Sequence, residues 1–112
     1  MGTVPEIKLH LGCGHNKIPG WINIDSVEGF VPDLIHDLSC PLPFSDGTVA
    51  ELMAKDILEH FDKFQRFFVF YDWVRVLRLG GIVTVGVPNL PKIFYKYFKF
   101  PFEKWVEFVF GE

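Results

Sequence analysis

The run Ile82-Val83-Thr84-Val85-Gly86-Val87 carries no charge and is rich in β-branched side chains. Six residues suit a strand better than a helix, and a strand without polar alternation is buried on both faces. Sheets covered on both faces are almost always parallel, and their strands need crossover segments. The residues before the run offer one. Over residues 56–78, Phe61, Phe64, Phe68, Tyr71, Val74 and Leu77 recur at three- and four-residue steps. That spacing predicts a helix whose phenylalanine-rich face is core. Arg75 and Arg78 suit the negative end of its dipole, Gly80-Gly81 stops it, and Pro88 ends the strand that follows.

Four further strands are expected earlier in the chain. Ile7 to Leu11 is apolar and ends at a glycine loop; Trp21 to Asp25 alternates and ends on an acid. Asp33 to His36 is a short third strand, Ser39 to Gly47 a loop, and Val49 to Ala54 a fourth strand. Strands alternating with helix or loop imply an α/β parallel sheet. Ligands of such sheets bind beyond the carboxyl ends of the strands. The candidate chemistry falls there: Gly12 to Gly14, Asp25, Asp37, Lys55-Asp56 and Pro88-Asn89 each follow a strand. Only residues 12–20 separate the first two strands, fewer than a parallel crossover usually takes, so a stub or loop must stand in for its helix.

Bulk properties exclude several classes. A chain of 112 residues is one domain, 1–112. Cys13 and Cys40 form neither a metal-type pair nor a disulfide framework, which implies a reducing, cytoplasmic setting. Net charge is -3 with no block of Lys or Arg, which argues against nucleic acid as the partner. No signal peptide and no transmembrane segment is expected. The four histidines lack metal-ligand spacing, so no metal is expected. Cys13 has no identifiable base partner for nucleophilic work.

A Gly-x-Gly after a strand needs a physical reason. Glycine reaches backbone angles closed to other residues and lets a ligand approach the main chain. Gly12-Cys13-Gly14-His15-Asn16-Lys17 lacks the sixth-position glycine of the dinucleotide fingerprint, and the phosphate-cradling lysine loop is also absent. Alone, the loop is as well explained by a tight turn. Asp25 is placed to accept both hydroxyls of a ribose, or to form an Asx turn or helix cap with Ser26. Asp37 could accept from an adenine amino group while the Leu38 amide faces a ring nitrogen, or it could be a turn residue before Cys40-Pro41.

Taken in order, the segments Leu9-His10-Leu11-Gly12-Cys13-Gly14, Trp21-Ile22-Asn23-Ile24-Asp25, His36-Asp37-Leu38, Asp56-Ile57-Leu58-Glu59-His60-Phe61, Val76-Leu77-Arg78-Leu79-Gly80-Gly81 and Val87-Pro88-Asn89 resemble a class I S-adenosylmethionine-dependent methyltransferase. The nearest likeness is to the small bacterial group in which Pro-Gly-Trp follows the first motif. The resemblance covers residues 7 to 90. It implies a Rossmann-like three-layer sandwich with five mainly parallel strands in the order 3-2-1-4-5. It implies S-adenosylmethionine as cofactor, with Gly12, Cys13 and Gly14 under its methionine part. Asp25, beside Ser26, would hold its ribose. Asp37 and Leu38 would bracket its adenine, and Lys55 would contact it through the backbone. His60 would lie near the reacting methyl group as a candidate base, and Pro88 and Asn89 would line the side of a small-molecule acceptor. Two departures stand out: His10 occupies a position where such enzymes commonly carry an acid, and Leu79 one where proline is common.

The usual last two strands of that family are expected to be missing. Residues 91–112 hold nine of the nineteen aromatics, from Phe94 to Phe110, and are expected to form one or two short helices. The fifth strand would then be an edge, covered by this segment or by a second copy. Two functions stay open: methyl transfer to a small acceptor, or a truncated, non-catalytic cofactor-binding module or partner subunit. In the second, residues 91–110 dock a homodimer mate or a partner protein. A third reading places Lys92, Lys96, Lys99 and Lys104, interleaved with aromatics, on a membrane surface.

Overall fold

The computed structural model describes residues 6–87, 94–100 and 104–110. The strands are β1 (Ile7–Leu11), β2 (Ile22–Asp25), β3 (Leu34–Ile35), β4 (Val49–Lys55), β5 (Leu77–Val87), β6 (Phe94–Phe100) and β7 (Lys104–Phe110), with one α-helix, α1 (Lys63–Val76), among the described residues. They form a single sheet in the order β3-β2-β1-β4-β5-β7-β6. The first five strands are mutually parallel and follow the expected 3-2-1-4-5 order. The fold is α/β and Rossmann-like. No described helix is long and apolar enough to cross a membrane.

Register explains the core. Leu9 lies beside Leu52 and Leu52 beside Val83; Leu11 lies beside Ala54 and Ala54 beside Val85. Neighbours in register share a face, and these six side chains join Ile24 and α1's Val69, Trp73 and Val76 in one buried cluster. The intervening positions, His10, Asn23, Met53 and Thr84, point to the opposite face. There the 12–21 connection lies over β1 and β2. Its backbone is held by the Asn23 side chain at Ile18 and Trp21. A connection with no helix therefore suffices for two parallel strands, because an internal amide replaces the anchoring that helix packing usually supplies.

Helix α1 differs from expectation in its ends and its faces. It starts at Lys63 because the Asp62 carboxylate accepts from the Phe64 and Gln65 amides, an N-cap. Leu58–His60 is a separate 3-10 turn before it. The helix ends at Val76 and passes directly into β5, so Arg78 lies in the strand. The glycine pair does other work. Pairing steps from Val49 opposite Leu77 to Glu51 opposite Ile82, and the extra residues loop out. Gly80 takes φ +76°, and a Cβ on Gly81 would meet the Arg78, Ala50 and Val49 carbonyl oxygens at 2.9–3.1 Å.

The expected core face of α1 is a correction. Val69, Trp73, Val76 and the following Leu77 are buried, whereas Phe64, Phe68 and Tyr71 are 78%, 72% and 57% exposed, with Phe67 at 60%. Phe61 is half-buried against the core. The helix is apolar on most sides, so three-to-four spacing can be traced along more than one of them. Clamping on the adjoining side selects the buried one. Arg75 reaches Asp72, Asp46 and the Phe44 and Leu42 carbonyls, while Asp72 accepts from the Leu42 amide. These bonds tie α1 to the 38–48 loop and turn Trp73 onto the sheet.

The C-terminal segment is a second correction. Residues 94–100 and 104–110 are strands, not helices, and they pair antiparallel with each other. β7 continues the sheet parallel to β5, so β5 is an interior strand and β6 the edge. The chain therefore does not lack a further pair of strands. Aromatic residues, abundant here, favour pleated structure.

Candidate functional site

The strand order reverses between β1 and β4, and parallel sheets bind ligands in the crevice at such a point. A cleft of about 400 Å³ opens there, lined by His10, Gly12, Cys13, Asn16, Ile18, Met53, Lys55 and Asp56. Ligand pockets commonly span about 300–1,000 Å³. Gly12, Cys13 and Lys55 from the sequence-expected set meet in this cleft.

The two glycines of the loop have different reasons to be glycine. Gly12 takes φ +66°, and a Cβ there would lie 2.6 Å from the Ile57 side chain, so its place is required by packing. Gly14 takes φ +52° and has nothing within 4 Å of where its Cβ would be. Its left-handed angle rather than crowding calls for glycine, and it is not among the residues lining the cleft. Across the cleft, Asp56 holds φ +57°, an uncommon angle for a residue with a side chain, and its amide donates to the Gly86 carbonyl. Sparsely populated backbone angles persist where surroundings impose them, often at binding sites.

His10 is fixed by a chain of donors and acceptors. The Asn23 Nδ2 atom faces the Ile18 and Trp21 carbonyls and Asp33 Oδ2, all acceptors, so that end of the amide is the donor. Oδ1 is therefore the acceptor. It takes the Ile18 amide at 2.9 Å and His10 Nδ1 at 3.0 Å. Nδ1 must carry the hydrogen, and a neutral His10 offers Nε2 as a lone-pair acceptor on a residue that lines the cleft. Asp33 also accepts from the Asn23 backbone amide, and these bonds hold its carboxyl below the usual range.

Asp25 is buried at the end of β2. Its Oδ2 accepts from the Gly14 amide at 2.9 Å, and its Oδ1 from Val27 two residues on, an Asx turn. Asp25 thus sets the glycine loop while standing behind the wall of the cleft. Ser26 is exposed in that turn, and the Val27 amide makes the bond. Burial, then the Asp25 charge, push the Cys13 thiol up, which leaves it protonated and unsuited to attack.

Other expected residues lie apart. Asp37 is exposed and accepts from the Ser39 amide and hydroxyl, the turn role; those bonds lower its carboxyl. Leu38 lines a different groove, against α1. His60 is exposed on the 3-10 turn, its amide donating to Ile57, and is not among the residues lining the cleft. Pro88 and Asn89 lie outside the described residues. Among the described residues, no group of three or more His, Cys, Asp or Glu could hold a metal. Sequence reasoning missed Asn23, whose signal was an amide between Ile22 and Ile24 in a short buried strand, and it missed Asn16, Ile18 and Met53 as lining. No protein-family model matches the chain, and a search of curated proteins finds no match.

Proposed function

We propose that the chain binds S-adenosylmethionine in the β1/β4 cleft and transfers its methyl group to a small acceptor. The observation that carries this reading is the cleft itself: Gly12 and Cys13 of the glycine loop face Lys55-Asp56 across the point where strand order reverses. The fit can be tested group by group. Asp25 holds the Gly14 amide from behind the cleft wall and so fixes the loop on which the cofactor would rest. His10 Nε2 can accept from an ammonium group without the charge of a carboxylate. Asp56 supplies an anion for a cationic ligand. Asp37, committed to Ser39, contributes least to this reading.

When bound, the cofactor would supply an electrophilic methyl group for displacement by the acceptor's lone pair, with Gly12, Cys13 and Lys55 of the cleft as the residues that would hold it. The work of this chain is to hold donor and acceptor in line, a large share of the barrier for such displacements. The Asn23 network keeps His10 in one tautomer and the loop in one shape before any ligand arrives.

Calorimetric titration with the demethylated product, S-adenosylhomocysteine, tests the reading. Saturable binding is expected, and no heat at millimolar ligand overturns it. His10→Asn retains a donor toward Asn23 while withdrawing the ε acceptor. It is expected to weaken the product about tenfold, the loss of roughly one charge-assisted hydrogen bond. Binding without transfer to any offered acceptor selects the non-catalytic module over the enzyme.

A further inference from the structure

We propose that the outer face of α1 is a homodimer interface, in which two copies of this chain pack helix against helix, antiparallel, about a two-fold axis near Phe67 and Phe68. The proposal is independent of the cleft and of what fills it. Phe64, Phe67, Phe68 and Tyr71 stand at positions i, i+3, i+4 and i+7, a single stripe along α1. Each is more than half exposed. Phe67 packs on Tyr71 with ring centroids 4.6 Å apart and on Phe68 at 6.2 Å, so these three rings form a contiguous ridge, with Phe64 one turn before it. Contiguous apolar surface of this kind marks an interaction site.

Three features favour a second copy as the occupant. Aromatic residues bury about 200 Å² each, so at the observed exposures the four rings present roughly 500 Å² per copy, about 1,000 Å² for the pair. Buried in full, the rings alone meet the roughly 1,000 Å² that a biological interface should clear, and the lining of the adjoining groove adds to it. The surface is also self-complementary in shape. Beside the ridge runs a groove of about 450 Å³ lined by Leu38, Pro41, Phe68, Tyr71 and Trp73 among others. An isologous contact sets the ridge of one copy against the same patch of its mate, where the groove can receive a ring.

The helix dipole fixes the direction. The charges at the two ends are spent within the chain: Asp62 caps the Phe64 and Gln65 amides, Arg66 is turned onto the Leu58 and Phe61 carbonyls, and Arg75 pairs with Asp72 and Asp46. Antiparallel pairing sets the positive end of each helix beside the negative end of its mate; parallel pairing aligns like ends.

Sedimentation velocity over a concentration series is expected to show a reversible dimer. Phe67→Glu, which places a charge at the axis, is expected to weaken it at least about tenfold with an unchanged circular dichroism spectrum. Direction is read by cross-linking in a Cys40→Ser background, where the remaining Cys13 is buried. Phe64→Cys protein mixed with Tyr71→Cys protein is expected to form a disulfide-linked dimer in higher yield than either alone. A monomer at every concentration overturns the proposal, as does a dimer indifferent to Phe67→Glu. Equal cross-linking of Phe64→Cys protein with itself overturns the antiparallel arrangement. A monomer that sediments with liposomes through this stripe assigns it to lipid and overturns the proposal too.

Discussion

The ends of β2 and β3 carry the same local device. Asp25 accepts from the amide of Val27, and Asp37 from the amide of Ser39, each two residues on. Sequence treats them alike, as acids closing adjacent parallel strands. What separates them is the second bond. Asp25 reaches the Gly14 amide eleven residues back and is 8% exposed. Asp37 turns again to Ser39, through its hydroxyl, and stays at the surface. One carboxylate couples a loop to the sheet; the other shapes only its own turn. A strand-end acid becomes part of a site through its long-range partner, and the Asx turn alone says little.

The largest expected effect falls on the residue that makes the β2 region a hub. Asn23→Leu removes an amide bonded to His10, Ile18, Trp21 and Asp33. Several partners are left part-buried without a replacement, so a loss of roughly 3 kcal/mol is expected in urea unfolding. A loss under about 0.5 kcal/mol, the size of an ordinary surface change, would show that water substitutes for the amide and that the β2 end is no stiffer than the β3 end.

The paired substitution is the direct comparison. Asp25→Asn turns one acceptor oxygen into an NH2 group facing either the Gly14 or the Val27 amide, donor against donor. A cost of about 2 kcal/mol is expected for the buried mismatch. The loop should also loosen, which amide exchange at Gly14 would report. Asp37→Asn can keep an oxygen toward Ser39, and its melting temperature should match the parent. Equal losses at both positions would collapse the distinction between them.

Much of the β1–β5 core was legible because its signals are local. Ile7 to Leu11 and Ile82 to Val87 are short, apolar and bounded by glycine or proline, and the structure makes them strands. Gly12 to Gly14 and Lys55 were placed at strand ends by the same reading, and topology alone brings Gly12, Cys13 and Lys55 together in the cleft. The misses arose where several patterns coexist. Helix α1 has apolar residues on almost every side, so its periodicity does not select Val69 and Trp73 over Phe64 and Phe68. In residues 94–110 the aromatics fall on neighbouring as well as alternating positions, which hides the period of two. Asn23 was passed over because a lone amide in a strand has no spacing to read; its meaning comes from four partners that only the fold supplies.

The smallest expected effect concerns acid. Asp33 stands just before β3 and serves β2: it accepts from the Asn23 backbone and side-chain amides, and these bonds lower its carboxyl from the ordinary value. A folded value below the unfolded one means that the unfolded chain takes up the proton first. The stability from Asp33 is therefore fully present above the unfolded value and is lost as pH falls through the folded one. Its side chain is largely at the surface, so solvent screening keeps the contribution small. Asp37 is lowered as well, by the Ser39 amide and hydroxyl, but its partners lie within its own turn, which can persist in the unfolded chain. Urea midpoints measured between about pH 6 and pH 2 should therefore fall less steeply for Asp33→Asn than for the parent. For Asp37→Asn the curve should follow the parent. If the two variants flatten it equally, the bond from Asp33 to β2 adds nothing to stability beyond what a local turn provides. The acids of this sheet would then differ in position but not in coupling.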